Sequence, residues 1–316
     1  MHKLLISALL GLIVAVAPAT AGGEEKGFVP IFNGQDLTGW NVAANPEGFR
    51  VEDGCMYTGG NNAGTGLLST ENDYGNFIFR FEYMLSEVGN SGVIIRGDSI
   101  RSLAWEKGYE IQLLAPWTPY RDDLHCTGSI YDHVAIVNRP DETTGKWHEM
   151  EIVCDRFQII IAVDGEVTTW ADMSTIKSLS TKSLSGPVGL QDNHSDAEQW
   201  FKFRNLRIRD LDKEPDYVAR GFSYTNPRVR KQAHDAAVGL DTLMVAPLCE
   251  LMATEDSVSS AGAKKALFQV VATASAPDAP ASVRSSVIKT LQKQMAGLES
   301  EIGRYHLARL LGMLDN

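Results

Sequence analysis

Apolar and polar residues alternate with a period of two along much of the chain between Phe28 and Leu211, most clearly in Phe77-Ile78-Phe79-Arg80-Phe81-Glu82-Tyr83. Aromatic residues hold every second position and Arg80 and Glu82 the other parity, so one face of such a strand packs and the other stays polar. Similar short runs, punctuated by Gly, Asn and Asp, predict strands at 49–57, 66–69, 76–85, 92–96, 109–114, 129–133, 147–154, 158–163, 166–170, 188–191 and 200–209. Asp164-Gly165, between two β-rich runs, reads as a two-residue hairpin. This many short strands, with no long helix among them, favours a sandwich or barrel over a βαβ fold. The expectation is a two-sheet antiparallel jelly-roll sandwich over 28–211.

Past Leu211 the period changes. Asn226-Pro227 has the form of an N-cap followed by proline at the first helical position, and Val229, Ala233, Ala236, Ala237 and Leu240 then recur at helical spacing. Further helices are expected at 243–253, 258–274, 283–296 and 301–314, with a proline-bearing loop at 275–280. The fold class is therefore mainly β, a jelly roll followed by a small all-α helical segment over 212–316. Val229, Val258 and Val283 hold similar places near three helix starts. The stretch from Asn226 to Ala233 resembles the opening of a HEAT-type repeat, a family of stacked helical hairpins that present interaction surfaces. That resemblance implies a protein partner at the segment, and a plain helical bundle is the alternative.

Composition narrows the class. A chain of 316 residues, 44% hydrophobic and 22% charged, is that of a folded protein with room for two domains. Forty acidic against 29 basic side chains give a net charge of −11. With no long Lys/Arg block, this sets nucleic acid aside as a partner. Residues 1–21 combine a short basic start, an apolar run from Leu4 to Ala17 and the ending Ala19-Thr20-Ala21, the pattern of a signal peptide cleaved after Ala21. The run is shorter than the roughly 18–20 residues that cross a bilayer, and no later segment has that apolar length. The expectation is an exported protein, periplasmic or extracellular, not membrane-spanning after cleavage. Cys55, Cys126, Cys154 and Cys249 show no C-x-x-C spacing, which leaves buried thiols or one structural bridge.

A site on such a sandwich draws on polar residues of one strand parity near glycine-bearing turns. Glu110 and Gln112 share one parity, opposite to Tyr109, Ile111 and Leu113. Arg96 ends the apolar run Val93-Ile94-Ile95 with a rigid donor fork. Gln191, Asp192 and His194 gather amide, carboxylate and imidazole after another strand. The alternative is structural: an ion pair between Glu110 and Arg96, with Gln191 and Asp192 capping a turn. His125 and His133 flank Gly128-Ser129-Ile130-Tyr131, and His148, beside Trp147, is expected to be structural or at the surface rather than catalytic. The serine-hydrolase elbow, phosphate loop and H-E-x-x-H spacing are absent from the sequence. Carbohydrate is the favoured ligand, because Trp40, Trp105, Trp117, Trp147 and Trp170 could supply apolar platforms beside these polar groups.

At these motifs the chain resembles the 3-keto-disaccharide hydrolase family, exported proteins with a concanavalin-like jelly roll. The matching pieces are Phe32-Asn33-Gly34-Gln35-Asp36-Leu37-Thr38-Gly39-Trp40, the stretches from Asn90 to Arg96 and Gly108 to Gln112, Thr127 to Tyr131, Gly186 to Asp192 and Phe203 to Ile208. The chain departs from the family pattern at Ala115-Pro116, at Trp147-His148 and at Asn193. The resemblance implies cleavage of 3-keto-glycosides. A ketone at C3 acidifies the C2 hydrogen, so a base removes it, an acid protonates the oxygen leaving C1, and water then adds. On that basis Glu110 is the base and His194 the acid or its relay. Arg96, Gln112 and Gln191 bind the ketone and hydroxyls, and His125 or Tyr131 is the alternative acid. A divalent cation held by Glu110, Asp192 and a histidine is a further candidate for stabilising the enolate. A non-catalytic carbohydrate-binding module and an interaction scaffold are the competing classes.

Overall fold

A computed structural model describes residues 25–44, 46–59, 66–97, 108–118, 121–192 and 199–314. The chain divides into two compact units between Asp210 and Leu211. The signal-peptide expectation falls outside the described residues, and among those described no helix is long and apolar enough to cross a membrane.

The first unit is a sandwich of two antiparallel sheets. Its strands are β1 (Val29–Pro30), β2 (Trp40–Ala44), β3 (Phe49–Glu52), β4 (Cys55–Gly59), β5 (Leu67–Tyr74), β6 (Phe77–Leu85) and β7 (Asn90–Ile95). They continue with β8 (Tyr109–Leu114), β9 (His148–Asp155), β10 (Gln158–Val163), β11 (Glu166–Asp172), β12 (Gly186–Gln191) and β13 (Trp200–Asp210). One sheet has eight strands in the order β11-β10-β9-β6-β13-β4-β3, with β1 also on β13. The other has five, in the order β2-β5-β12-β7-β8. This is the jelly roll the alternation predicts.

In β6, Phe77, Phe79, Phe81 and Tyr83 are fully buried, as their parity requires. The opposite face forms charge pairs with neighbouring strands, Arg80 donating to Glu151 at 2.6 Å and Arg204 to Glu82 at 2.7 Å, and beside them Arg207 of β13 reaches Glu149 of β9 at 2.7 Å. Asp164 and Gly165 both have positive φ, 49° and 83°, and close the expected hairpin between β10 and β11. Asp53 and Gly54 do the same at 51° and 74°, which splits the expected strand 49–57 into β3 and β4.

The expected strand 129–133 does not form. Positive φ at Gly128 (85°) and Asp132 (59°) brackets the segment, and Ile130 makes only isolated bridges, to Ile111 and Val134. Cys55, Cys126, Cys154 and Cys249 are free buried thiols, and burial pushes Cys154 up to about 11 and Cys249 up to about 12.

The second unit contains α1 (Pro215–Gly221), α2 (Pro227–Gly239), α3 (Val245–Met252), α4 (Ser257–Ser275), α5 (Ala281–Gly297) and α6 (Glu301–Leu314). α1 is too short for its period to stand out in the sequence. α4, the longest, touches α2, α3, α5 and α6, and Leu248, Leu267, Val271, Leu291 and Leu307 meet in the core around it. In stacked hairpins each repeat contacts only its neighbours; a central helix touching four others is a bundle, so this packing gives the HEAT-type resemblance no support. Asn226 caps α2 as read, its side-chain oxygen accepting from the Arg228 N–H at 2.9 Å. Replacing Asn226 with Ala is expected to cost about 1 kcal/mol, read as a lower urea midpoint; an unshifted midpoint would contradict the capping role.

Candidate functional site

The five-stranded sheet carries a polar face whose members are fixed by register. β7 and β8 pair Gly92 with Gln112 and Ile94 with Glu110. β12 pairs Gly189 with Ile94 and with Ser69 of β5, which in turn lies opposite Asn41 of β2. Successive side chains alternate between faces. Glu110, Gln112, Gln191, Ser69 and Asn41 therefore share one face, while Tyr109, Ile111, Leu113, Val93, Leu190 and Leu68 share the apolar one. The outer edge of β8 is extended by the Ile111–Ile130 bridge, in which Gln112 N donates to Ser129 O and Tyr131 N to Glu110 O. This brings Ser129 opposite Gln112 and Tyr131 opposite Glu110.

Glu110 lies on β8, the outermost strand of this sheet. It is 6% exposed, and burial alone pushes its carboxyl up to about 7. Among the described residues no ion pair includes it. Gly92 makes its position possible, because a Cβ there would lie 2.5 Å from Glu110 Oε1 and 2.9 Å from its Cγ. The side chain thus folds over the bare glycine. Gly92 follows Ser91, whose hydroxyl donates to Gln191 O at 2.7 Å, so Gln191 flanks the same spot from β12. Gly92→Ala is expected to push the Glu110 carboxylate aside; a structure of the variant with Glu110 unmoved would show that the bare glycine does not set its position.

The same polar face carries buried side-chain oxygens with no hydrogen-bond partner: Gln112 Oε1 on the strand of Glu110, Ser129 Oγ opposite Gln112, Gln191 Oε1 on β12 and, three strands from Glu110, Ser69 Oγ on β5. Gln112 is held by its amide nitrogen, which donates to Asn90 Oδ1 at 3.0 Å, leaving its oxygen unmet. Unmet buried polar atoms cost free energy and call for a partner. A hydroxyl-rich ligand would supply one to each.

At the rim, the His125 and Tyr131 rings meet edge to face at 4.9 Å, and His125 Nδ1 lies 2.8 Å from Asp122 Oδ1. Tyr131 is 39% exposed, so both rings are within solvent reach. His133 lies 3.4 Å from Ser178 Oγ; burial, then the charge of Lys182, lowers its pKa below the usual 6.5.

The structure brings together Glu110, Gln112 and Gln191, with Tyr131 and His125 at their edge. It does not bring Arg96. That residue has φ 52°, which ends the alternation of β7, and its guanidinium is fully buried. Nε and Nη2 donate to Gly75 O at 2.8 and 2.6 Å, and Nη1 to Arg156 O at 2.7 Å. Gly75 precedes β6 and Arg156 lies between β9 and β10, so Arg96 ties the end of β7 to turns of the eight-stranded sheet. Both earlier readings of Arg96, as sugar binder and as ion-pair partner of Glu110, are corrected to this clamp.

Asp192 is buried just past β12, its N–H donating to Gly66 O at 2.9 Å. His194 and Trp105 lie outside the described residues. Sequence alone gives Ser129 and Ser69 no site signal, because a lone serine carries none until register gives it neighbours.

Among the described residues, the grouping that could hold a metal is Asp141, His148 and Asp164. It fits poorly: His148 Nδ1 lies 2.8 Å from Asp164 and Nε2 2.9 Å from Thr143 O, so both ring nitrogens already have partners, and Asp141 holds Lys146. His148 is structural, as expected.

Residues 27–209 match the family model of the 3-keto-alpha-glucoside-1,2-lyase-like domain. No curated protein matches the chain. Among solved structures, a candidate glycosyl hydrolase from Parabacteroides distasonis is 24% identical with a TM-score of 0.51, over 58% of this chain and 98% of its own. A second from that organism is 21% identical with a TM-score of 0.49, over 58% and 94%. A carbohydrate-binding module from Bacillus subtilis is 12% identical with a TM-score of 0.38, over 54% and 96%. The first of these likenesses is one of fold.

Proposed function

We propose, from the premise that this chain belongs to the 3-keto-alpha-glucoside-1,2-lyase-like family, that its sandwich cleaves 3-keto-glycosides by elimination and hydration. Family membership makes it a glycoside-cleaving or carbohydrate-binding domain. The elimination itself is supported by one observation: a buried carboxylate, pushed up to about 7, amid side-chain oxygens that lack partners.

In this reading Glu110 takes the C2 proton, and the C–H electrons pass into the C3 ketone as an enolate. The enolate then reforms the ketone, a C1–C2 double bond forms, and the C1–O bond breaks. An acid protonates the departing oxygen, and water adds at C1 to give the free 3-keto sugar. A base near neutral pKa is ionised in useful amount at pH 7 and strong enough to act. In this reading the Ser129 hydroxyl and the Gln191 amide donate to the ketone oxygen. Gln112 Oε1 and Ser69 Oγ accept from sugar hydroxyls in the same reading. Tyr131, with His125 against its ring, stands at the rim as one acid; His194 keeps the role the resemblance gives it. The basic start and apolar run of 1–21 support export as part of the same reading.

The test is to incubate the protein with a 3-keto disaccharide and with its unoxidised parent, each with and without chelator. The expected result is release of 3-keto sugar and no cleavage of the parent. Chelator-sensitive turnover restored by a divalent ion would assign enolate stabilisation to a cation. Binding of both sugars without turnover would make the domain a carbohydrate-binding module, and equal cleavage of both would remove the keto group from the mechanism.

A further inference from the structure

We propose that Trp117 is the platform for the pyranose ring of the leaving group, a specificity element of the same site that rests on the reading above. Trp117 is 75% exposed, more than any other large apolar side chain among the described residues. It is carried on the turn that continues β8, closed by the Thr118 N–H on Ala115 O at 3.2 Å and tied to the start of β7 by the Ala115 N–H on Gly89 O at 2.9 Å. The same strand bears Glu110 and Gln112.

A strand advances about 3.3 Å per residue, so the turn begins on the order of 10 Å beyond Gln112. That is too far for the ring undergoing elimination and suited to the next one. Thr118 supplies a second sign of a ligand, because it is buried and its Oγ1 has no hydrogen-bond partner. A pyranose matches both features: its C–H face lies on an indole, and its hydroxyls meet an oxygen acceptor.

The other tryptophans among the described residues are buried, packed under cations or on the other sheet. Trp40 is buried with Nε1 donating to Ile31 O at 2.6 Å, Trp147 lies under the Arg204 guanidinium at 3.9 Å, and Trp200 packs beside Lys202 and Tyr57. Trp170 is half exposed, but on β11 of the other sheet.

The experiment compares wild type, Trp117→Ala and Trp117→Tyr on a 3-keto disaccharide of two glucose units and on methyl 3-keto-glucoside. The ratio of KM for the disaccharide to KM for the methyl glycoside is expected to rise about tenfold in the alanine variant and to be largely restored by tyrosine. An unchanged ratio overturns the platform. If wild type turns over neither sugar, the functional reading fails and affinity decides the platform separately. Calorimetry should then show the disaccharide bound about tenfold more weakly by Trp117→Ala; equal affinities, or no binding by wild type, overturn it.

Discussion

Glu110→Gln is expected to lower kcat on a 3-keto-glucoside by about 10²–10⁴-fold, the usual worth of a general base, while the protein stays folded. Glutamine keeps the shape over Gly92 and removes only the ability to accept the C2 proton. In wild type kcat/KM should rise with pH through about 7 as the carboxyl ionises.

The same residue predicts a stability change with a definite sign. The folded protein holds the Glu110 proton up to about 7, against an ordinary value of 4.5. Below 4.5 both folded and unfolded chains carry it, and its contribution is fully present. Between 4.5 and 7 the unfolded chain releases it first, so stability is lost across that window, by about 3 kcal/mol at 1.4 kcal/mol per tenfold. Glutamine cannot ionise. The stability of Glu110→Gln relative to wild type should therefore improve by about that amount between pH 4.5 and 8, as measured by urea unfolding. Parallel pH curves for the two proteins would show that the carboxyl is not held in its neutral form.

The second large effect is on folding. Arg96→Met should destabilise the sandwich by about 3 kcal/mol or more, because two buried carbonyls, Gly75 O and Arg156 O, lose charged donors together. On a unit of this size that lowers Tm by roughly 10 °C. Arg96→Lys should recover little, since an ammonium group cannot reproduce a fork that spans two acceptors. Below its melting point the variant should keep the wild-type KM. A normal Tm with a large rise in KM would return Arg96 to the role the sequence suggested.

The contrast between Glu110 and Arg96 shows what strand patterning conveys. Glu110 and Gln112 are separated by one apolar residue, and parity alone puts them on one face; β8 is regular, so the inference holds. Arg96 sits where φ becomes positive, and parity has no meaning past that point. Its partners lie 21 and 60 residues away, in turns that only the assembled sheets bring near. Gln191 joins the site through β12, whose pairing with β7 spans a separation of 100 residues. No local signal carries that pairing; the sequence offers only the polar cluster Gln191, Asp192 and His194 after a strand, and the family motif. Hairpins were legible where Asp-Gly lay between clear β runs, as at Asp164-Gly165. At Asp53-Gly54 the same dipeptide was absorbed into one longer strand. In the helical unit, the cap at Asn226 and the spacing of α2, α4, α5 and α6 were readable because helical signals are local. How those helices pack depends on α4 contacting four others, and a repeat-like spacing of valines does not encode it.

The most direct test of elimination is a kinetic isotope effect with a 3-keto-glucoside deuterated at C2. If Glu110 removes that hydrogen in the rate-limiting step, kcat/KM falls severalfold for the deuterated sugar. Full-speed cleavage of the deuterated sugar by an enzyme whose chemical step limits turnover, with the C2 label retained in the product, would contradict it.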